Sequence, residues 1–337
     1  MLSIFDLWEN YRYNHLMTPN KQVGGAGAVP KAISKAASNT PLTNIFEHIK
    51  MIPELPGAYY FPKLHALGLK NYFTYDNKIW GNMNPIYAKD AENKKRIEHN
   101  DKLLADYIGA DKVYVMTAPP ENTLINPSQE EHVYLQQYYK EKYINIRTNS
   151  VIIPRNLKNF HVVFAHSDCA IFVLVSKSQI VAMHIGAPQV LTGLHFDTLK
   201  LLNPEPATSI QAFVFPYICK KHYSIKTKKL MPILQGMQKT NPPRARLIKK
   251  HLGKRVIAES TGKNTKTERI YFDFIGLTRA EIKEFLKATY NTEVTFYETG
   301  LCTYEHATKY NNLFSYTAKK QGEQEPGTFN VGFGVNR

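Results

Sequence analysis

Cys169 and His184 are the residues whose types and spacing point most directly to chemistry. Cys169 precedes the apolar run Ala-Ile-Phe-Val-Leu-Val, and His184 follows the next run, Ile-Val-Ala-Met. Two such runs in succession are typical of a β-hairpin, which would place the thiol and the imidazole on neighbouring strands. A thiol beside an imidazole is the minimum equipment for nucleophilic or metal-assisted catalysis.

The expected chemistry is attack by a thiolate. An ordinary cysteine thiol is mostly protonated at neutral pH, and a nearby imidazole can hold it as the thiolate. We expect Cys169 to attack a carboxamide carbon or an electron-poor ring carbon, while His184 moves the proton and then assists water. His166 and Ser167 are supporting candidates for orientation or oxyanion contacts. Strand alternation turns Asp168 to the opposite face, so we do not assign it as a third member.

The other cysteines, Cys219 and Cys302, are interpreted as structural residues, because neither lies in a segment with a nearby histidine of matching spacing. His222 lies near Cys219, but one such pair is weak evidence for a metal. Three scattered cysteines fit neither a disulfide framework nor a structural zinc motif, which favours a reducing compartment. The N-terminus lacks the basic stretch and cleavage site of a signal peptide, and the apolar runs are too short to span a membrane. We therefore expect a cytoplasmic protein.

The composition is that of a globular protein, with 337 residues of which 43% are hydrophobic. Residues 1–58 differ in character from the rest and are predicted to form an extension, part mobile and part helical. The glycine cluster at 24–30 does not follow a strand pattern, which favours a linker over a phosphate-binding loop. Residues 59–337 are predicted to form one folded domain.

The net charge of +15 favours acidic partners. A nucleoside or phosphate-bearing small molecule and an acidic protein both fit, and the sequence does not indicate an oligomeric state. The basic segments 220–221, 226–229 and 244–255 are interpreted as solvated loops, with phosphate or polyanion binding as the alternative. The tyrosines and lysines at 138–143 are accompanied by glutamates, which favours an amphipathic helix over a nucleic-acid surface.

Strands and helices interleave without a regular βαβ repeat, which predicts an α+β fold with a mixed β-sandwich core flanked by helices. Thr278 with Glu281 three residues later has the pattern of a capping box, so we expect a helix to begin at Thr278. The predicted strands are 71–75, 112–116, 156–165, 170–175, 179–184, 210–218 and 269–274, and the predicted helices are 91–108, 190–202 and 278–289.

From about Lys63 onward the chain resembles the laccase-domain family, known historically as multicopper polyphenol oxidoreductases. Segments in the family's order carry the resemblance: Asn93–Gly109, Ser167–Cys169, Val181–Gly186, Phe215–Ile218 with Tyr223, Tyr271–Phe274, Gly300–Tyr304 and Leu313–Tyr316. The resemblance implies purine nucleoside phosphorylase or adenosine deaminase activity. It also implies that residues 59–337 are the catalytic domain.

Three positions depart from the family pattern. The strand at 113–117 runs into Ala118-Pro119-Pro120 and lacks the histidine that, with the cysteine and the second histidine, can bind zinc in the family. Ala187-Pro188 replaces the family's Trp-Arg, and Thr317 replaces an arginine. If zinc is retained, the resemblance implies that Cys169 and His184 are two of its ligands. A metal-free dyad of Cys169 and His184 requires no cofactor.

The Cys169–His184 spacing also resembles that of cytotoxic necrotizing factor-like deamidases, which share a cysteine-hydrolase-like architecture and need no metal. Three functions therefore stay open. The first is nucleoside phosphorolysis or deamination. The second is deamidation of a protein glutamine by a toxin or effector, for which delivery by a non-classical secretion route is compatible with the sequence. The third is a non-catalytic binding protein that uses its basic surface.

Overall fold

The structure, a computed structural model, describes residues 47–83, 91–117, 132–134, 143–202, 209–260, 263–324 and 327–336. Its strands are β1 (Lys50–Met51), β2 (Ala58–Tyr60), β3 (Lys70–Thr74), β4 (Val113–Thr117), β5 (His132–Tyr134), β6 (Tyr143–Arg147), β7 (Ser150–Pro154), β8 (Phe160–His166), β9 (Ala170–Val175), β10 (Gln179–Ile185), β11 (Ile210–Val214), β12 (Ser224–Lys226), β13 (Leu252–Ser260), β14 (Lys263–Phe272), β15 (Val294–Glu298) and β16 (Phe329–Val335). Its helices are α1 (Pro62–Ala66), α2 (Asn77–Trp80), α3 (Ala91–Ile108), α4 (Ala187–Thr192), α5 (Leu194–Lys200), α6 (Thr227–Thr240), α7 (Pro242–Lys250), α8 (Phe274–Tyr290), α9 (Thr303–Thr308) and α10 (Tyr316–Lys320).

Two mixed sheets form the centre of the fold. The first has the strand order β1-β2-β3-β16-β8-β4-β6 and the second β15-β11-β9-β10-β7-β5; β12, β14 and β13 form a smaller third sheet. Strands β4 and β8 pair in parallel, whereas β8 and β16 pair antiparallel. The C-terminal strand β16 thus lies inside the first sheet, between β3 from the N-terminal part of the described chain and β8 from its middle.

Side-chain alternation distributes the apolar residues among three cores. Phe164 on β8 and Val173 on β9 belong to the core between the two sheets. Phe172 and Leu174, the neighbours of Val173 along β9, face a second core that contains side chains of α4 to α8. Helix α3 covers the other face of the first sheet. The α+β class and the sandwich flanked by helices are therefore confirmed.

Most strand predictions are confirmed within a few residues, and β9 and α3 have the predicted bounds. The helix predicted at 190–202 is instead two helices, α4 and α5, separated by Gly193. Gly193 has φ +81°, in the left-handed region that favours glycine. The predicted single helix was wrong because this glycine ends α4 and redirects the chain.

The capping box predicted at Thr278 was also wrong. Helix α8 begins four residues earlier, at Phe274, and the carboxylate of Asp273 caps it by accepting a hydrogen bond from the Gly276 N–H. Thr278 lies inside the helix and donates to the Phe274 carbonyl. Glu281 is buried and bound to residues of other helices, as described below.

The basic segments are more ordered than predicted. Residues 227–229 begin α6, and 244–250 belong to α7. The prediction of solvated loops was therefore wrong for these two segments, although most of their cations stay exposed, whereas Lys220 and Lys221 do lie in an exposed turn.

The predicted extension lies outside the described residues up to residue 46. From residue 47 the chain contributes β1 and the buried residues Ile49, Ile52 and Leu55 to the fold. The helix predicted at 138–143 also lies outside them except for Tyr143, which begins β6. Within the described ranges, no helix is long and apolar enough to cross a membrane.

Candidate functional site

The Cys169–His184 site is built on the hairpin of β9 and β10. The two strands pair antiparallel, with His184 opposite Ile171 and Ile185 opposite Ala170. The same register continued by one residue places Gly186 opposite Cys169. Because side chains alternate along a strand, Cys169, Ile171, His184 and Gly186 share one face. Cys169 and His184 are thus diagonal cross-strand neighbours, a separation that long side chains can bridge.

Cys169 lies where the chain passes from one sheet to the other. Strand β8 of the first sheet ends at His166, and residues 167–169 form a bend. The next strand, β9, is the first strand of the hairpin and belongs to the second sheet. The face that carries Ile171 belongs to the core between the sheets. The thiol, which is half-buried, therefore stands at one end of this core. Ser167, the supporting candidate in the bend, is also half-buried.

His166, the last residue of β8, is the third candidate site residue at this end of the sandwich, with Cys169 and His184. Its Nδ1 is 2.8 Å from the carbonyl oxygen of Cys169. A carbonyl can only accept, so Nδ1 is the donor and carries the hydrogen. In the neutral ring Nε2 is then an acceptor, and this buried atom has no hydrogen-bond partner among the described residues.

Both imidazoles are neutral bases at physiological pH. Burial lowers the pKa of His184 to about 4. Burial, reinforced by the nearby His184, lowers the pKa of His166 to about 3. His184 Nδ1 is buried without a hydrogen-bond partner in the described part of the chain. Neutral rings can accept hydrogen bonds, whereas the lowered pKa values disfavour the protonated form of both.

Asp168 has a structural role in the same bend. Its carboxylate accepts hydrogen bonds from Thr303 Oγ1 at 2.9 Å, from the Thr317 N–H at 2.7 Å and from Thr317 Oγ1 at 2.6 Å. Its backbone carbonyl accepts from the Ile218 N–H. Burial raises the pKa of Asp168, although these hydrogen bonds oppose the shift. Asp168 therefore fastens the bend to α9, α10 and the segment after β11.

The thiol lies directly over Gly186. A Cβ atom at this glycine would be 3.0 Å from Cys169 Sγ and 2.9 Å from Gln189 Oε1. The Gln189 side chain turns back to accept the Gly186 N–H at the start of α4. Gly186 has ordinary extended backbone angles, so its role is to leave room. Because Gly186 has no side chain, the Cys169 thiol and the Gln189 side-chain amide can both lie next to its Cα.

A buried ion pair holds α4 in place beside the hairpin. Arg244 of α7 donates to the Val190 carbonyl and to the Leu191 carbonyl near the end of α4. Its Nε is 2.7 Å from Glu281 Oε1, and His195 Nε2 is 3.0 Å from Glu281 Oε2. The residues after His184 are therefore anchored to α7 and α8.

A small cleft reaches His184 from the β7 side. The space that a water-sized molecule can reach in it is about 10 Å³, and it is lined by Asn149, Ser150, Met183, His184, Ile185, Gln189, His195 and Thr198. This is room for about one water molecule, so the cleft by itself does not hold a nucleoside. The segment 118–129 lies outside the described residues.

The residues at Cys169 do not form a closed zinc set. Among the described residues, the three donor side chains whose ligand atoms lie within 4.8 Å of one another are Cys219, His222 and Cys302. Neither Cys169 nor His184 belongs to such a group. No histidine stands in β4 to replace the ligand missing from the family pattern. The site therefore does not fit a three-ligand zinc ion, and we derive no chemical step through one.

The structure brings Cys219 and Cys302 together with His222, a proximity that the sequence analysis did not predict. His222 Nδ1 lies 3.2 Å from Cys219 Sγ and 3.4 Å from Cys302 Sγ. A hydrogen bond from Cys302 lowers the pKa of Cys219 to about 5, and the same contact raises the pKa of Cys302. The spacing of Cys219 and His222 was the available signal. It was weak because the third residue comes from a distant segment.

The fold is shared with solved bacterial structures. YfiH of Bacillus licheniformis, titled a hypothetical protein, matches with a TM-score of 0.58 at 13% identity, over 86% of this chain and 100% of that one. The Neisseria meningitidis protein NMB0706, described as DUF152, matches with a TM-score of 0.54 at 12% identity, over 80% and 95%. YlmD of Geobacillus stearothermophilus matches with a TM-score of 0.51 at 12% identity, over 86% and 99%.

The sequence matches no protein-family model and no curated protein. At 12–13% identity the structural likeness establishes the fold. Beyond the fold, the resemblance to the laccase-domain family stays a prediction.

Proposed function

We propose that this chain, which has the fold of YfiH and YlmD, is an enzyme that hydrolyses a C–N bond with Cys169 as nucleophile and His184 as proton carrier. Deamination of a purine nucleoside is the reaction that the geometry supports best. The observation that carries the proposal is the placement of both side chains on one face of the β9–β10 hairpin, at an end of the inter-sheet core.

The reaction can be written with this chain's own residues. Neutral His184 takes the thiol proton, and the thiolate forms a bond to C6 of the purine while an electron pair moves to a ring nitrogen. The C6–N bond then breaks, and the amino group leaves as ammonia with a proton from His184. Water, deprotonated by the imidazole, attacks C6 and breaks the C–S bond. The sum is nucleoside plus water giving the 6-oxo nucleoside plus ammonia.

His166 supplies a second acceptor in this scheme. Its Nε2 is neutral and buried, and Nδ1 is fixed by the Cys169 carbonyl. We assign it to orient the attacking water or an N–H of the purine. The low pKa of both histidines supports this role, because a protonated ring could not accept.

Deamination is favoured over phosphorolysis by the residue at position 317. The family has an arginine there, whereas Thr317 gives both its N–H and its hydroxyl to Asp168. A threonine engaged in this way offers no cation to a phosphate, and phosphate recognition commonly relies on arginine or lysine. Deamination by water needs no phosphate site.

The test compares wild type with Cys169→Ala and His184→Gln, using adenosine, which carries the C6 amino group, for deamination and inosine and guanosine for phosphorolysis, with and without phosphate and with products separated by chromatography. We expect ammonia and the deaminated nucleoside from wild type and a loss of at least about 100-fold in both variants. His65→Gln, at an exposed histidine, is the matched control and should retain activity.

Two results would overturn the proposal: no reaction by folded wild type, or full activity in Cys169→Ala. Free base formed only with phosphate would replace deamination by phosphorolysis. If no nucleoside reacts, the glutamine deamidase prediction is the next to test, by a mass gain of about 1 Da in an incubated protein partner.

A further inference from the structure

A second group of reactive side chains shares no residue with the proposed catalytic pair. It consists of Cys219, His222 and Cys302, whose ligand atoms lie within 4.8 Å of one another. Cys219 and His222 are half-buried and Cys302 is 5% exposed, so the group opens to solvent on one side. Nothing in the catalytic proposal uses these residues.

We propose that Cys219, His222 and Cys302 form a metal site for Zn²⁺, with the two sulfurs and His222 Nδ1 as ligands and water in the fourth position. Zn²⁺ prefers thiolate and imidazole ligands in a tetrahedral arrangement, and sites with three protein ligands keep one position for water. Borderline-soft donors of this kind discriminate against Mg²⁺ and Ca²⁺, which take oxygen ligands.

The distances are close to those of a formed site. Zn–S and Zn–N bonds at tetrahedral angles place sulfur and nitrogen about 3.6 Å apart. His222 Nδ1 lies 3.2 Å from Cys219 Sγ and 3.4 Å from Cys302 Sγ. Each of these two nitrogen–sulfur distances needs to grow by only a few tenths of an ångström to receive the ion.

Hydrogen bonding by itself does not explain this convergence. A neutral imidazole has one acceptor nitrogen with one lone pair in the ring plane. Here two thiols approach the same Nδ1, and at most one of them can donate fully to it. A cation between the three atoms would satisfy all of them at once.

The surroundings hold the ligands in the required orientation. His222 stacks on the Tyr304 ring with centroids 4.6 Å apart, and its Nε2 lies 3.9 Å from Glu305 Oε1. A carboxylate beside the distal nitrogen of a ligating histidine commonly fixes the ring and raises its basicity. The Cys219 N–H points at Cys302 Sγ, at 3.3 Å, and such a contact stabilises a thiolate.

The backbone makes the group rigid although its members are distant in sequence. The N–H groups of His222 and Tyr223 both donate to the Cys219 carbonyl, which closes a tight turn around the first two ligands. Tyr217 forms a bridge with Cys302, and the Thr303 N–H donates to the Tyr217 carbonyl. The ion would thus fasten the segment after β11 to the start of α9.

The experiment is cobalt and zinc titration of the full-length, reduced, metal-stripped protein. Co²⁺ should give tetrahedral d–d bands and a sulfur-to-cobalt charge-transfer band, and Zn²⁺ should displace it at one equivalent. Cys219→Ser and Cys302→Ser should each lower the charge-transfer intensity by about half and weaken zinc affinity at least 100-fold. Glu305→Gln should weaken affinity roughly 10-fold.

Cys169→Ser is the matched control, since it changes a cysteine of the other site. We expect it to bind cobalt as wild type does. Loss of the spectrum in Cys169→Ser with retention in Cys219→Ser and Cys302→Ser would overturn the proposal and move the ion to the catalytic pair. Absence of any cobalt spectrum in folded wild type would overturn it as well.

A second measurement on wild type avoids variants that fail to fold. Zinc should protect Cys219 and Cys302 from alkylation by N-ethylmaleimide at least 10-fold, as mapped by peptide mass, and a chelator should abolish the protection. Equal alkylation with and without zinc, or a disulfide between the two cysteines in the protein purified under reducing conditions, would contradict the assignment.

Discussion

Removal of Arg244 should destabilise the protein far more than removal of an ordinary surface arginine. Arg244 and Glu281 side chains are 9% and 2% exposed and lie 2.7 Å apart. Substitution Arg244→Met keeps an apolar stem but leaves the Glu281 carboxylate buried with only His195 nearby. Breaking a buried pair in this way typically costs about 3–5 kcal/mol.

The sign of the pH dependence follows from the carboxylate. Burial would raise the pKa of Glu281, but contact with His195 and Arg244 outweighs burial and lowers it. Wild type therefore gains stability from Glu281 above the unfolded pKa and loses it as the pH falls through the folded value. Without Arg244 the buried carboxylate prefers its proton. The destabilisation of Arg244→Met should thus be largest near pH 7 and shrink toward pH 5.

The assay is urea unfolding followed by far-UV circular dichroism for wild type, Arg244→Met, Glu281→Leu and the double variant. The double variant should cost less than the sum of the single ones, because it leaves no unpaired charge. Arg255→Met is the control: the Arg255–Glu268 pair is exposed, and such pairs contribute at most about 1 kcal/mol. Single variants that each cost under about 1 kcal/mol, with additive effects, would refute the reasoning.

Three further outcomes are expected. Gly186→Ala should fold but lose roughly 10- to 100-fold of any Cys169-dependent activity, because its Cβ would displace the thiol, and misplaced reacting groups carry penalties of this size; product chromatography measures it. Asp168→Asn should lower the free energy of unfolding by roughly 2–4 kcal/mol, because an amide replaces a carboxylate that accepts hydrogen bonds from Thr303 and Thr317. Urea unfolding measures this loss. His161→Gln should make the free energy of unfolding depend less on pH below about pH 6.5. Burial lowers the pKa of His161 to about 3, so unfolding takes up a proton below about pH 6.5 and stability falls by about 1.4 kcal/mol per pH unit until the folded pKa is reached.

Each of these outcomes has a control or a contrary result. Gly236→Ala, at a helical glycine with no atom near its Cβ position, should leave activity unchanged. If Asp168→Asn unfolds at the wild-type urea concentration, the bend does not depend on the three hydrogen bonds. Parallel stability curves for wild type and His161→Gln between pH 7 and pH 4 would show that this histidine does not titrate on unfolding.

Local signals in the sequence determined much of the secondary structure and the pairing at the candidate site. Helix α3 follows from apolar spacing and from Gly109, whose φ of +79° ends it. Strands β9 and β10 follow from two apolar runs separated by a short polar segment. A hairpin between neighbouring runs requires no distant partner, so Cys169 and His184 could be placed near each other in advance.

Other features depend on contacts that only the tertiary structure makes. The pattern of Thr278 and Glu281 is that of a local cap, yet Glu281 binds Arg244, 37 residues earlier, and helix α8 begins elsewhere. Cys302 meets His222 across 80 residues of sequence. A pattern along the chain records neighbours within a turn or a hairpin. It does not record which distant donor will satisfy a buried charge or a thiol, because burial and packing decide that when the sheets and helices assemble.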